Sequence, residues 1–199
     1  MNFELLFQLL LNGLIVGTLY GVVAMCFVLI YKSTQIVNFA QGEFLLIGAW
    51  VCYAFLVEMH MPFWMGFLFT LLFMMVFGIV LQMVVLRPMI GEPIISVIMV
   101  TIGLSIFFQA ATKWIFGATT ATYPQVFETR SLNVLGMQIE TAYIMSFVIS
   151  LFIMAGFYWF FKYSKLGLAM RATAFDQQVA QSLGISVKTV FAMSWAISA

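Results

Sequence analysis

Long uncharged apolar runs alternate along the chain with short polar breaks. Runs at Leu5–Tyr31, within Met59–Leu86, at Ile94–Thr112 and at Thr141–Phe161 carry no charged side chain over a membrane-length stretch. Each supplies the roughly 20 apolar residues that a helix needs to cross a bilayer. The first is long enough to span with tilt. The second is expected to begin at Phe63, because Pro62 suits the first turn of a helix. Thr189–Ala199 opens a further run. No alternation of polar and apolar residues competes with these runs. The pattern therefore predicts an all-α fold, a polytopic transmembrane helical bundle of about five full spans plus the start of a sixth, in a single domain over residues 1–199.

One region decides the topology. Between Lys32 and Glu58 only Phe44–Val57 is free of charge, a run of roughly 21 Å at 1.5 Å per residue, short of the ~30 Å hydrocarbon core. Either it is re-entrant, or a full span begins near Asn38 and carries Glu43 into the membrane. The full span places Lys32, Arg87, Lys162, Lys165, Arg171 and Lys188 on one side, with Lys113 and Arg130 opposite. The re-entrant choice weakens that asymmetry, so the positive-inside rule favours the span. On this reading the N-terminus, the His60 turn and the Ala118–Glu140 loop, with Pro124 and Gly136, face outward. The Arg87–Pro93 turn and the Lys162–Lys188 loop face the cytoplasm.

Composition sharpens the class. Of 199 residues 64% are hydrophobic and 8% charged, against about 25% charged in soluble domains. Mean hydropathy is +1.11, so a lipid bilayer is the expected partner. The net charge of +1 offers no basic field for nucleic acid. The single His60 excludes a multi-histidine metal site, and no cofactor is expected. Cys26 and Cys52, both in apolar runs, read as buried thiols. The first Lys or Arg is Lys32, so the N-terminus lacks the basic region of a cleavable signal and its first apolar run should be retained.

Several patterns stand out as candidate chemistry. Gly13, Gly17 and Gly21 recur every four residues, a small-residue stripe that lets another helix approach closely. It serves helix packing or, less directly, a pathway enclosed by close-packed helices. Asn38-Phe39-Ala40-Gln41-Gly42-Glu43 concentrates polar groups at membrane depth, where ionisable side chains usually face a cavity or a partner. Gly42 permits the broken helix that transporters use beside a solute. The alternative for Glu43 is an interfacial cap favoured by the helix dipole. Thr101, Ser105 and Gln109 form an uncharged polar stripe, suited to a passing solute or to bonding a neighbouring helix. In the Lys162–Lys188 loop, Asp176 can cap a short helix and Gly184 can end it. Val179, Ala180 and Leu183 lie near one face of that helix, which suits docking in a partner's groove or lying on the chain's own bundle.

These residues resemble the membrane-spanning permease subunits of branched-chain amino acid ABC importers, the LivH-type family. The similar stretches are Asn12-Gly13-Leu14 through Tyr20-Gly21, Ile36 through Glu43, Arg87-Pro88, Thr101 through Ser105, and Leu166-Gly167 through Ala174. The resemblance implies a pathway for hydrophobic amino acids, and the polar residues Asn38, Gln41, Glu43, Thr101, Ser105 and Gln109 are the candidates for lining it. It implies separate ATPase subunits, a periplasmic substrate-binding protein, and a sister permease subunit or second copy, in a bacterial inner membrane. It identifies Gln178-Val179-Ala180 and Gly184 with the coupling motif, Glu-Ala-Ala followed three residues later by Gly, which makes Asp176, Gln178, Ala180, Leu183 and Gly184 the candidate ATPase-coupling residues. Gln178 and Val179 depart from that motif, and Gln41 stands where many relatives have His. The family has about eight spans, so the chain is expected to be a truncated or partial form. A permease for urea or short amides, and a passive channel or structural subunit, are the alternatives. No Walker motif is present, so any ATP hydrolysis is expected on partner subunits and not on this chain.

Overall fold

The computed structural model describes residues 3–89, 92–117, 120–124, 131–134 and 137–199. Each charge-free run becomes one helix. The helices are α1 (Phe3–Thr34), α2 (Gln41–Tyr53), α3 (Phe63–Leu81), α4 (Ile94–Phe116) and α5 (Thr141–Tyr163). Wider π-turns prolong α2 over Ala54–Glu58 and α3 over Gln82–Leu86. Gln41–Glu58 is thus one continuous helical stretch, and it is among five stretches long and apolar enough to cross a membrane. Glu43 lies inside it, as a full span requires. This is the predicted polytopic bundle, a multi-pass membrane protein.

Large apolar side chains stay exposed along these helices, among them Trp64, Ile95, Trp114 and Trp159. In water that would be a fault. In a bilayer, lipid tails are as apolar as leucine, and Trp and Tyr collect near the headgroups. Trp64 sits in the first turn of α3 and Trp114 in the last turn of α4.

The described chain divides into two compact units. The first contains Met1–Met25 and Gln125–Ser164. Its hairpin, β1 (Ser131–Val134) and β2 (Met137–Glu140), pairs antiparallel with Ser131 opposite Glu140 and leads directly into α5. Hydrophobic patterning does not reveal this hairpin, because four-residue strands are too short to show a period. Arg130 and Gly136 lie outside the described residues.

The second unit contains Cys26–Pro124 and Lys165–Ala199. Beyond α5 the loop of the sequence reading holds α6 (Lys165–Phe175) and α7 (Gln177–Ser182), followed by α8 (Val187–Ser198). Helix α6 was not expected. It buries Gly167, Met170 and Thr173, a spacing of three that keeps one helical face inward. Helix α8 packs on α3 at Gly78, where an added Cβ would lie 2.5 Å from the Trp195 carbonyl oxygen. That approach is open only to glycine, and close backbone packing of this kind holds membrane helices together where hydrophobic burial cannot. Phe44 occupies the centre, edge-on to Phe77 at 5.6 Å, Trp195 at 6.0 Å and Phe108 at 6.3 Å.

Candidate functional site

The turn before α2 builds the polar centre. Helix α1 ends as Gln35 takes φ 59°, a left-handed conformation unusual for a residue with a side chain. Its N–H still donates to the Tyr31 carbonyl at 2.8 Å. The chain then runs extended to Asn38, whose Oδ1 accepts from the Ala40 N–H at 3.0 Å. This turn, closed by an asparagine side chain, starts α2 in the interior.

Asn38 and Gln41 are both buried, and their amides are engaged. Asn38 Nδ2 donates to Gln41 Oε1 at 3.2 Å, and Gln41 Nε2 donates to the Ser198 carbonyl at 2.8 Å. The Ser198 hydroxyl lies 3.1 Å from both Gln41 Oε1 and the Cys26 carbonyl. Three helices, α1, α2 and α8, are thereby knitted by one network. Among the described residues no buried side-chain nitrogen or oxygen lacks a partner, so the network avoids the 1–3 kcal/mol cost of an unsatisfied buried group.

Glu43 differs. It is half-buried in the first turn of α2, where the helix dipole favours its charge. It makes no capping bond. Instead the Ser105 hydroxyl of α4 donates to Glu43 Oε1 at 3.4 Å. A carboxylate offers about four acceptor sites, so capacity remains for a second donor.

The α4 stripe comes apart along its length. Thr101 is buried and donates to the Ile98 carbonyl at 2.9 Å, with the Val37 carbonyl 3.5 Å away. Ser105 is half-buried and Gln109 is exposed. Four residues advance a helix by roughly 400°, so a stripe of period four drifts about 40° at each step. The structure joins Asn38 to Gln41, and Glu43 to Ser105; Gln109 belongs to neither group.

The glycine stripe divides likewise. Gly21 faces the Met154 side chain at 3.8 Å, whereas nothing lies within 4 Å of a Cβ placed at Gly13 or Gly17.

In the loop after α5, Asp176 caps α7, its Oδ1 accepting from Gln178 N at 2.8 Å and Val179 N at 3.0 Å. Gly184 ends the turn with φ 84°, which glycine adopts without steric cost. Ala180 is only 1% exposed, while Phe175, Val179 and Leu183 are 94%, 54% and 74% exposed. Ala180 is therefore separated from Val179 and Leu183. It holds α7 against the chain, and they form the outward face together with Phe175. Gln178 contributes its backbone N–H to the cap.

Sequence reasoning missed Ser198 and Trp195. Both act across long sequence separations, where local spacing carries no signal.

The profile of the family described as branched-chain amino acid transport system / permease component matches residues 9–199. The high-affinity branched-chain amino acid transport system permease protein BraD of Pseudomonas aeruginosa is 30% identical, over 96% of this chain and 66% of its own length. The LivH permease protein of Escherichia coli K12 is 26% identical over the same shares. A probable LivH permease protein of Methanocaldococcus jannaschii is 23% identical over 96% of this chain and 62% of its own length. The chain thus spans about two thirds of the length of these relatives. No solved structure matches it.

Proposed function

Because the chain belongs to the family of branched-chain amino acid transport system permease components, we propose that it lines part of a translocation pathway for branched-chain or related hydrophobic amino acids. The pathway serves an ABC importer of a bacterial inner membrane. Separate ATPase subunits drive it, a periplasmic binding protein supplies it, and a sister permease or a second copy completes it. The observation that carries this reading is the Glu43–Ser105 pair. The amides of Asn38 and Gln41 are committed to holding helices together, so they act as positioning groups. Glu43 retains acceptor capacity at membrane depth, where a carboxylate is retained for a partner. An amino acid's ammonium group is such a partner, and the hydrogen bond it makes is charge-assisted.

The outward Val179 of α7 and Leu183 just after it, with Phe175, supply the apolar face on which an ATPase subunit docks. Asp176, Ala180 and Gly184 keep that face in place. Leu183→Asp is expected to reduce co-purification of ATPase subunits without reducing membrane insertion; unchanged co-purification contradicts this docking face.

Uptake tests the pathway. In the complete importer, in a strain lacking its own branched-chain amino acid uptake, Glu43→Gln is expected to lower leucine uptake about tenfold or more, the equivalent of one charge-assisted hydrogen bond. The amount of protein in the membrane should not change. Uptake at the parent rate removes Glu43 from the pathway.

A further inference from the structure

A second feature lies farther along the same helix. A cleft of about 310 Å³ opens between α2, at Leu46, Ala49, Trp50 and Tyr53, and the segment after α4, at Thr120, Ala121 and Tyr123. Its volume is at the lower end of the range for small-molecule sites. Among the described residues, no charged side chain lines it.

Its walls are braced before any ligand arrives. The Trp50 ring stacks on Phe116 at 4.9 Å and meets Tyr53 edge-on at 5.6 Å. Tyr53 in turn meets Tyr123 edge-on at 5.8 Å. The Tyr123 hydroxyl donates to the Ala49 carbonyl and ties the segment to α2. Burial, with a smaller contribution from neighbouring Cys52, pushes the Tyr123 phenol up to about 12. The phenol therefore stays a donor at any physiological pH.

Position links the cleft to the polar pair. Leu46 and Trp50 are three and seven residues beyond Glu43, so they share its face of α2. Seven residues are roughly 10 Å of helix. That exceeds the separation of the ammonium and terminal methyls in a branched-chain amino acid. Leu46 lies only about 4.5 Å along the axis from Glu43, but an amino acid seated farther along the cleft, at Trp50 and Tyr53, has its ammonium short of the carboxylate, so that end and Glu43 are successive stations. The charge pattern puts the cleft toward the outer end of the helix and Glu43 deeper.

We propose that this aromatic cleft is an entry subsite that receives the aliphatic side chain of the amino acid before its ammonium group reaches Glu43. The proposal rests on the pathway reading above and adds the place where side-chain size is sensed. Aromatic walls without charge suit a branched aliphatic group, and the volume limits it to a small one.

The test is equilibrium binding of radiolabelled leucine to the purified chain in lipid nanodiscs. Saturable binding, displaced by valine and isoleucine, is expected. Ala121→Phe fills the cleft from its segment wall and should weaken leucine binding about tenfold, the scale on which apolar pockets discriminate by size. Ala121→Ser, which leaves the volume nearly unchanged, should bind as the parent does. The proposal is overturned by absence of saturable binding, by equal affinity in Ala121→Phe, or by displacement with a short-chain alcohol but not with valine, which marks a lipid contact. If Glu43→Gln abolishes binding and Ala121→Phe does not, the side chain rests deeper and the pathway reading survives alone. If the cleft binds leucine while Glu43→Gln leaves uptake intact, the pathway role of Glu43 falls instead.

Discussion

The start of α2 concentrates polar side chains and the first half of α1 repeats glycine at every fourth residue, and the structure treats the two differently. At the start of α2, Asn38 and Gln41 are bound to each other and to Ser198, which is 157 residues away from Gln41. In α1, Gly13 and Gly17 have nothing within 4 Å of where a side chain would begin. Both patterns are costly to keep without a use. A buried amide without a partner is penalised, and glycine inside a helix costs up to about 1 kcal/mol relative to alanine. The network meets its requirement within the chain. The upper glycine stripe does not, so substitutions in the two regions should have opposite consequences for the stability of this chain.

Three substitutions break or sharpen that contrast. The largest effect is expected at Gly78, beside the same network, where any side chain meets the Trp195 backbone at 2.5 Å. Gly78→Leu forces α3 and α8 apart and should cost about 3 kcal/mol, the upper range for overpacking. Thermal unfolding followed by tryptophan fluorescence in detergent should show a clear drop in midpoint; no drop means that α8 does not pack there. Gln41→Leu comes next. It removes both hydrogen-bonding ends of the amide and should cost about 1–3 kcal/mol, read as a lower midpoint in the same measurement. A midpoint equal to the parent's dissolves the network as a structural element. The smallest effect is expected for Gly17→Ala, within about 0.5 kcal/mol or slightly stabilising. A marked loss of stability there shows that the stripe is already packed, and the contrast fails.

Much of this architecture is legible in the sequence because a bilayer imposes simple rules. A charge-free run must become a helix, and each of α1 to α5 does, with Phe63 and Ile94 starting their helices where the runs predict. The N-cap at Asp176 and the left-handed Gly184 are equally local, and both are found. What escapes is rotation and distance. Spacing alone places Thr101, Ser105 and Gln109 on one stripe, but the helical drift leaves Thr101 buried and Gln109 exposed. Ala180 and Val179 are neighbours in sequence, yet the rotation of about 100° per residue puts Ala180 inward and Val179 outward. Helix α6 hides among basic residues that look like topology anchors. Ser198 offers no signal at all, because its role depends on a carbonyl in α1 and an amide in α2.

The central claim is that the Glu43–Ser105 pair meets the transported solute while the amides beside it only hold the helices. Thiol protection tests it most directly. In the complete importer, with Cys26 and Cys52 replaced by alanine, Ser105→Cys presents a single reactive group on this chain beside the carboxylate. A small water-soluble thiol reagent should modify it, and leucine should slow that modification while an equal concentration of aspartate does not. A modification rate indifferent to leucine, or no modification except by a lipid-soluble reagent, contradicts the account.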